Sequence, residues 1–159
     1  MADRHYSRQT IGAAEFMGPG RAFVMLAERA VWGVNENLDT AGNMRWRCTI
    51  FRNESQVLSS LLVIEATERT HAYWRRHYGA LPSAHLTTEV NVDLVKRKRD
   101  PGRCFIRAGW SLVGETTKGL LVFQAPASAR VGNGAEAHSS ASTTGSGGFS
   151  ASCSRSACE

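Results

Sequence analysis

The chain has 159 residues, of which 42% are hydrophobic and 21% charged, with a formal charge of +5. That length admits one domain with a real core, burying roughly two-thirds of the surface its unfolded chain exposes, and excludes two full domains. No window approaches the ~20 apolar residues that span a bilayer, and Met1 to Thr10 lacks the apolar centre of a secretory signal, so a soluble, cytoplasmic protein without a membrane partner is expected.

Residues 1–19, running into the turn sequence Met17-Gly-Pro-Gly20, read as a flexible N-terminal arm. Arg21 to Val34 carries β-formers and aromatics (Phe23, Val24, Met25, Val31, Trp32, Val34) interrupted by Ala27-Glu-Arg-Ala30, which predicts one strand or a hairpin of two. Asn35 to Asn43 is polar and turn-rich. Met44 to Phe51 begins with apolar and polar residues in alternation, the pattern of a half-buried strand, and is expected to lie antiparallel to its predecessor. Arg52-Asn-Glu-Ser55 breaks that strand.

Leu58 to Tyr78 is the predicted major helix, with Leu58, Leu61, Leu62, Ala66 and Tyr73 near one stripe and Gly79 closing it in a left-handed turn. Leu86 to Val92 is rich in β-branched residues and predicts another strand. Asp100-Pro-Gly opens a short helix, with Asp100 accepting from the first free amides and Pro101 at the first helical position; Gly109 ends it. Trp110 to Val113 and Lys118 to Gln124 form a closing hairpin around Gly114 to Thr117. From residue 128 onward the chain is Ser/Gly/Ala-rich and is expected to be disordered, because it cannot bury enough surface to offset its ordering entropy. The folded unit is residues 20–127, an α/β (α+β) domain whose mixed, mostly antiparallel sheet carries one long and one short helix.

The four cysteines, Cys48, Cys104, Cys153 and Cys158, form no CxxC pair and no His/Cys cluster, so no metal site is expected. Cys48 and Cys104 sit among apolar neighbours and read as small core residues. His71, His77 and His85 match no ligand spacing and read as surface residues. Trp32, Trp46, Trp74 and Trp110 read as core and interface filling rather than a platform for stacking bases. Lys96, Arg97, Lys98 and Arg99, followed by Arg103 and Arg107, make a basic patch that either holds phosphates of a nucleic acid or a cofactor, or is a solvated loop.

Two segments carry a resemblance. One is Phe51-Arg52-Asn53-Glu54 followed by the helix start Leu58-Ser59-Ser60; the other is Asp100-Pro-Gly-Arg-Cys-Phe-Ile-Arg-Ala-Gly-Trp110. With Thr117-Lys-Gly-Leu-Leu121 and the element order, residues 21 to 124 resemble the GNAT N-acetyltransferase fold, and more narrowly small phage and prophage proteins that look related to the Mom DNA-modification proteins. The resemblance implies acetyl-CoA or a related acyl-CoA bound by the amides of the loop before the long helix, with Arg52, Asn53, Ser59 and Ser60 as cofactor-binding residues. It also implies an aspartate in the relatives where this chain has Asn91, and a tyrosine where it has Arg103, which makes both catalytic candidates.

The physical chemistry of the first segment stands apart from the family. A helix N-terminus with unsatisfied N–H groups and a positive dipole end attracts anions, and Arg52 and the serines add donors; the same residues also serve simply as helix caps. Acyl transfer to an amine needs a base for the amine proton, and Glu28 and Glu89 are the carboxylate candidates, each equally readable as an outward-facing strand residue. Two functions follow: an acyltransferase acting on an amine, extending to the exocyclic amine of a base in DNA gripped by Lys96 to Arg99, or a non-catalytic basic nucleic-acid-binding or phage accessory protein that keeps the fold. No glycine lies between Asn53 and Tyr78, which favours the second.

Overall fold

A computed structural model describes residues 17–27, 29–95 and 100–127; Glu28, Lys96 to Arg99, most of the predicted arm and the tail from residue 128 lie outside the described residues. The elements follow in the order β1 (Arg21–Ala27), β2 (Ala30–Leu38), β3 (Met44–Asn53), α1 (Ser59–Tyr78), β4 (Leu86–Asn91), α2 (Arg103–Arg107), β5 (Ser111–Glu115) and β6 (Leu120–Gln124). The six strands form one sheet in the order β1-β2-β3-β4-β6-β5, antiparallel throughout except where β3 meets β4. A long helix and a short one complete a mixed α+β domain.

The first hairpin is two strands, and β2 runs four residues past Val34 into the segment expected to be a loop. Buried polar groups need partners, and Asn35 and Glu36 have them. Asn35 donates to the carbonyls of Gly18 and Pro19 (3.1 Å each), and Glu36 accepts from the Trp74 indole at 2.7 Å, with the Arg21 guanidinium 3.7 Å away. The turn comes later, where the Asp39 carboxylate accepts from the amides of Ala41 and Asn43 (2.9 Å each), a side-chain mimic of a backbone turn.

In α1 the buried face is Leu62, Val63, Ala66, Thr67, Thr70, His71 and Trp74, while Leu58 and Leu61 of the expected stripe are exposed. Thr67 and Thr70 join that face because each finds a bond in the core. Thr67 and Thr70 donate to the carbonyls four residues back, and their hydroxyls accept from the indoles of Trp110 (3.3 Å) and Trp32 (3.0 Å). Gly79 ends the helix as expected, left-handed at φ 79°, donating to the Arg75 carbonyl.

His71, expected at the surface, is 6% exposed and lies 5.4 Å from the Trp46 ring. Burial, with a smaller contribution from Arg75, holds its imidazole below the usual value of 6.5. A base whose folded pKa is depressed gives stability that is fully present above the unfolded-state pKa and lost as pH falls through the folded one. Stability should therefore decline as pH drops below about 6.5, and His71→Leu should flatten that acid limb when denaturant midpoints of the two proteins are compared across pH.

Helix α2 starts later than expected. Its N-cap is Gly102, left-handed at φ 84°, and Asp100 makes no side-chain cap bond; only its carbonyl accepts, from the Arg103 amide at 3.3 Å. The left-handed turn brings Gly102 against the Phe123 ring, and that contact in the core outweighs the local capping preference.

Candidate functional site

β3 and β4 pair only from Trp46↔Leu86 to Cys48↔Thr88. At the next residue β3 is bulged: Val34 pairs with Cys48 and Gly33 with Ile50, so Thr49 is the extra residue. A bulge bends its strand and increases local twist. Beyond it the two strands continue with no further pair between them among the described residues, and a cavity of about 710 Å³ lies at their diverging ends.

The cavity is walled by β3 (Thr49, Phe51, Arg52, Asn53), β4 (Thr88, Glu89, Val90), the start of α1 (Leu58, Ser59, Ser60) and the segment from Asp100 through α2 to Arg107. Phe51 and Val90 sit on the helix-bearing side of the sheet, whereas Arg52 and Glu89 alternate to the other side. The opening therefore spans the thickness of the sheet. Open α/β sheets hold ligands outside the carboxyl ends of parallel strands, and this is such a place.

At the start of α1 the N-cap residue is Leu58, which makes no side-chain cap bond. The first amides of a helix have no intrahelical partner, and here they belong to residues whose hydroxyls, Ser59 and Ser60, line the cavity. Asn53 shapes this turn instead of reaching for a ligand. It donates to the Val57 carbonyl (2.7 Å) and the Ser59 hydroxyl (3.1 Å), and its carbonyl accepts from the amide (2.8 Å) and hydroxyl (2.7 Å) of Ser55. Arg52 donates to Glu54 at 2.6 Å, and Glu89 accepts from Arg47 at 3.0 Å.

The structure thus brings together Arg52, Asn53, Ser59, Ser60, Glu89 and Arg103 around one cavity. Asn91 is outside its lining; its side chain accepts from the Leu94 amide at 3.1 Å in the turn after β4. Glu28 and Lys96 to Arg99 lie outside the described residues, although Val95 and Asp100, which flank the basic run, both line the cavity. Sequence reasoning missed Glu54 and Asp100 as cavity carboxylates, and Thr49 as the residue that opens the gap. A bulge leaves no mark in the pattern of β3, because its extra residue is defined only by pairing with β2. No protein-family model, curated protein or solved structure matches this chain.

Its chemistry is carried by the groups themselves. Three guanidinium groups (Arg52, Arg103, Arg107) and three carboxylates (Glu54, Glu89, Asp100) share the lining with apolar Phe51, Val90 and Phe105. Arg103 and Arg107 are exposed and one helical turn apart, placed to meet an anion from solvent. Cys104, between them in sequence, is a half-buried thiol in the same wall, whereas burial pushes the Cys48 thiol far above its ordinary value and makes it inert. Among the described residues no helix is long and apolar enough to cross a membrane.

Proposed function

We propose that the chain is a GNAT-like N-acyltransferase that takes an acyl group from an acyl-CoA and places it on an amine. The single observation that carries this reading is the parallel pair β3–β4 opening into a cavity walled by an uncapped helix N-terminus. The diphosphate of the donor suits the first amides of α1, the hydroxyls of Ser59 and Ser60, and Arg103. Strand edges that have parted carry backbone donors and acceptors suited to the amide groups of an extended pantetheine chain.

In the transfer, the amine nitrogen bonds to the thioester carbonyl carbon, the carbon–sulfur bond breaks, and the sulfur leaves as a thiolate that must gain a proton. In this reading Glu89, directly or through water, receives the amine's proton, and its ion pair with Arg47 orients the carboxylate. The acceptor class extends to a nucleobase amine, since the run Lys96 to Arg99 is tethered at both ends to cavity-lining residues; a base within duplex DNA would have to be flipped out to reach the gap.

Acetyl-CoA should raise the melting temperature of the full chain, because a ligand that binds only the native state stabilises it, by about 2.7 kcal/mol at one hundred times its dissociation constant. The variant Ser60→Ala/Arg103→Ala should lose most of that shift while keeping its own unliganded melting temperature within a few degrees. No shift at millimolar acetyl-CoA would sink the proposal. It would leave the second reading, a non-catalytic nucleic-acid binder, which the pairing of Arg52 with Glu54 and the internal bonding of Asn53 favour. That protein should bind DNA with a steep salt dependence.

A further inference from the structure

Of the residues that line the cavity, three are buried: Thr88 and Phe105, each 5% exposed, and Val90, 7% exposed. They mark its floor. Thr88 donates its hydroxyl to the Cys48 carbonyl at 3.0 Å, so the polar side chain at that depth is already engaged within the sheet. Phe51, half-buried on the same helix-bearing side as Val90, sets its ring beside Phe105 with centroids 5.9 Å apart. The floor is therefore apolar.

Charge lies higher. The side chains of Arg52, Glu54 and Glu89 are 31%, 24% and 32% exposed, and Asp100, Arg103 and Arg107 are exposed outright. A cavity graded in this way takes an amphiphilic ligand apolar end first, because burying apolar surface is favourable and burying a charge is costly. An acetyl group offers that floor a single methyl, whereas a cavity of about 710 Å³ is of the size that encloses drug-sized molecules.

We propose, resting on the acyl-CoA reading of the cavity, that the acyl group carried here is a medium-length alkanoyl chain rather than acetyl, its tail lodged on Val90, Phe51 and Phe105. Those three residues then set chain length. Each methylene that leaves water for such a wall tightens binding about fourfold. The bonds made and broken are those of acetyl transfer, and only the substituent on the carbonyl carbon differs. The charged groups nearer solvent are left for the diphosphate and the amine.

The test measures dissociation constants of acetyl-CoA, hexanoyl-CoA and octanoyl-CoA on the full chain by isothermal titration calorimetry, below the concentrations at which the thioesters form micelles. Affinity should rise along the series. Octanoyl-CoA should bind at least tenfold tighter than acetyl-CoA, since burying even two of its six added methylenes gives about sixteenfold. Val90→Thr, which puts a hydroxyl on the floor at nearly constant volume, should lower the octanoyl-to-acetyl affinity ratio about fourfold or more. The ratio is taken within one protein, so a general loss of stability cancels; if Val90→Thr does not fold, Val90→Ile, which raises the floor, must lower the ratio instead. Equal affinity for acetyl and octanoyl overturns the chain-length proposal and leaves the acyl-CoA reading standing, whereas no binding by any of the thioesters overturns that reading and the proposal with it. A ratio untouched by the floor variants also overturns it, because the chain would then lie on Leu58 and Leu94, the exposed apolar residues of the rim.

Discussion

Replacing Trp74 with alanine should destabilise the protein by about 3–5 kcal/mol, the usual cost of emptying a large aromatic site. The residue is fully buried, its ring lies 5.3 Å from Trp46 and 5.7 Å from Tyr73, and its indole is the 2.7 Å donor to Glu36. The substitution therefore opens a cavity and strips a buried carboxylate of its donor, leaving it Arg21 at 3.7 Å. Set against a total stability of about 5–15 kcal/mol, the loss should leave a large unfolded fraction at 37 °C. Trp74→Phe keeps most of the apolar surface and removes only the donor, so it should cost about 1.5–3 kcal/mol, the range for a hydrogen bond to a charged group. Urea unfolding of the two variants separates the contributions; equal losses would mean that the bond to Glu36 dominates and the packing is slack.

The second large effect is expected at Gly102. A side chain there faces two penalties: the left-handed conformation, about 1–2 kcal/mol for a residue with a Cβ, and overlap of that Cβ with the Phe123 ring, about 1–3 kcal/mol in a packed core. Gly102→Ala should thus cost about 2–5 kcal/mol by the sum of these two terms. Gly109 provides the comparison, because it has nearly the same φ, 83°, with nothing within 4 Å of a built Cβ, and Gly109→Ala should show only the first penalty. If both substitutions cost the same, the Phe123 contact carries no weight. Phe123 also stacks on Phe105 in the cavity wall, so Gly102→Ala should weaken acetyl-CoA stabilisation as well as the fold.

Several elements were legible from local pattern alone. The Leu58 to Tyr78 helix and its glycine stop, the interruption at Ala27 to Ala30 that becomes a hairpin, and the closing strand pair each depend on neighbours within a few residues, where propensity and turn chemistry act. Arg52, Asn53, Ser59, Ser60, Glu89 and Arg103 were likewise nameable as candidates, because loop and helix-start residues of those types stand out in a short stretch. Their roles were not. Asn53 looks the same in sequence whether it binds a ligand or ties down its own loop, and only the four hydrogen bonds it makes decide for the loop.

By itself, then, the sequence determined a small mixed domain of strands and two helices, the boundaries of its long helix, and the two segments from which a site is built. The tertiary structure decided the rest. It put Asn35 and Glu36 inside β2, since their polar atoms are satisfied by residues 16 to 38 positions away. It turned α1 so that Thr67, Thr70 and His71 face the core, and moved the cap of α2 from Asp100 to Gly102 through contact with Phe123. It also opened the cavity, because a bulge at Thr49 exists only in the register of two paired strands. Periodicity and capping are read from adjacent residues, whereas burial of polar groups and divergence of strands depend on partners that only the folded chain brings together.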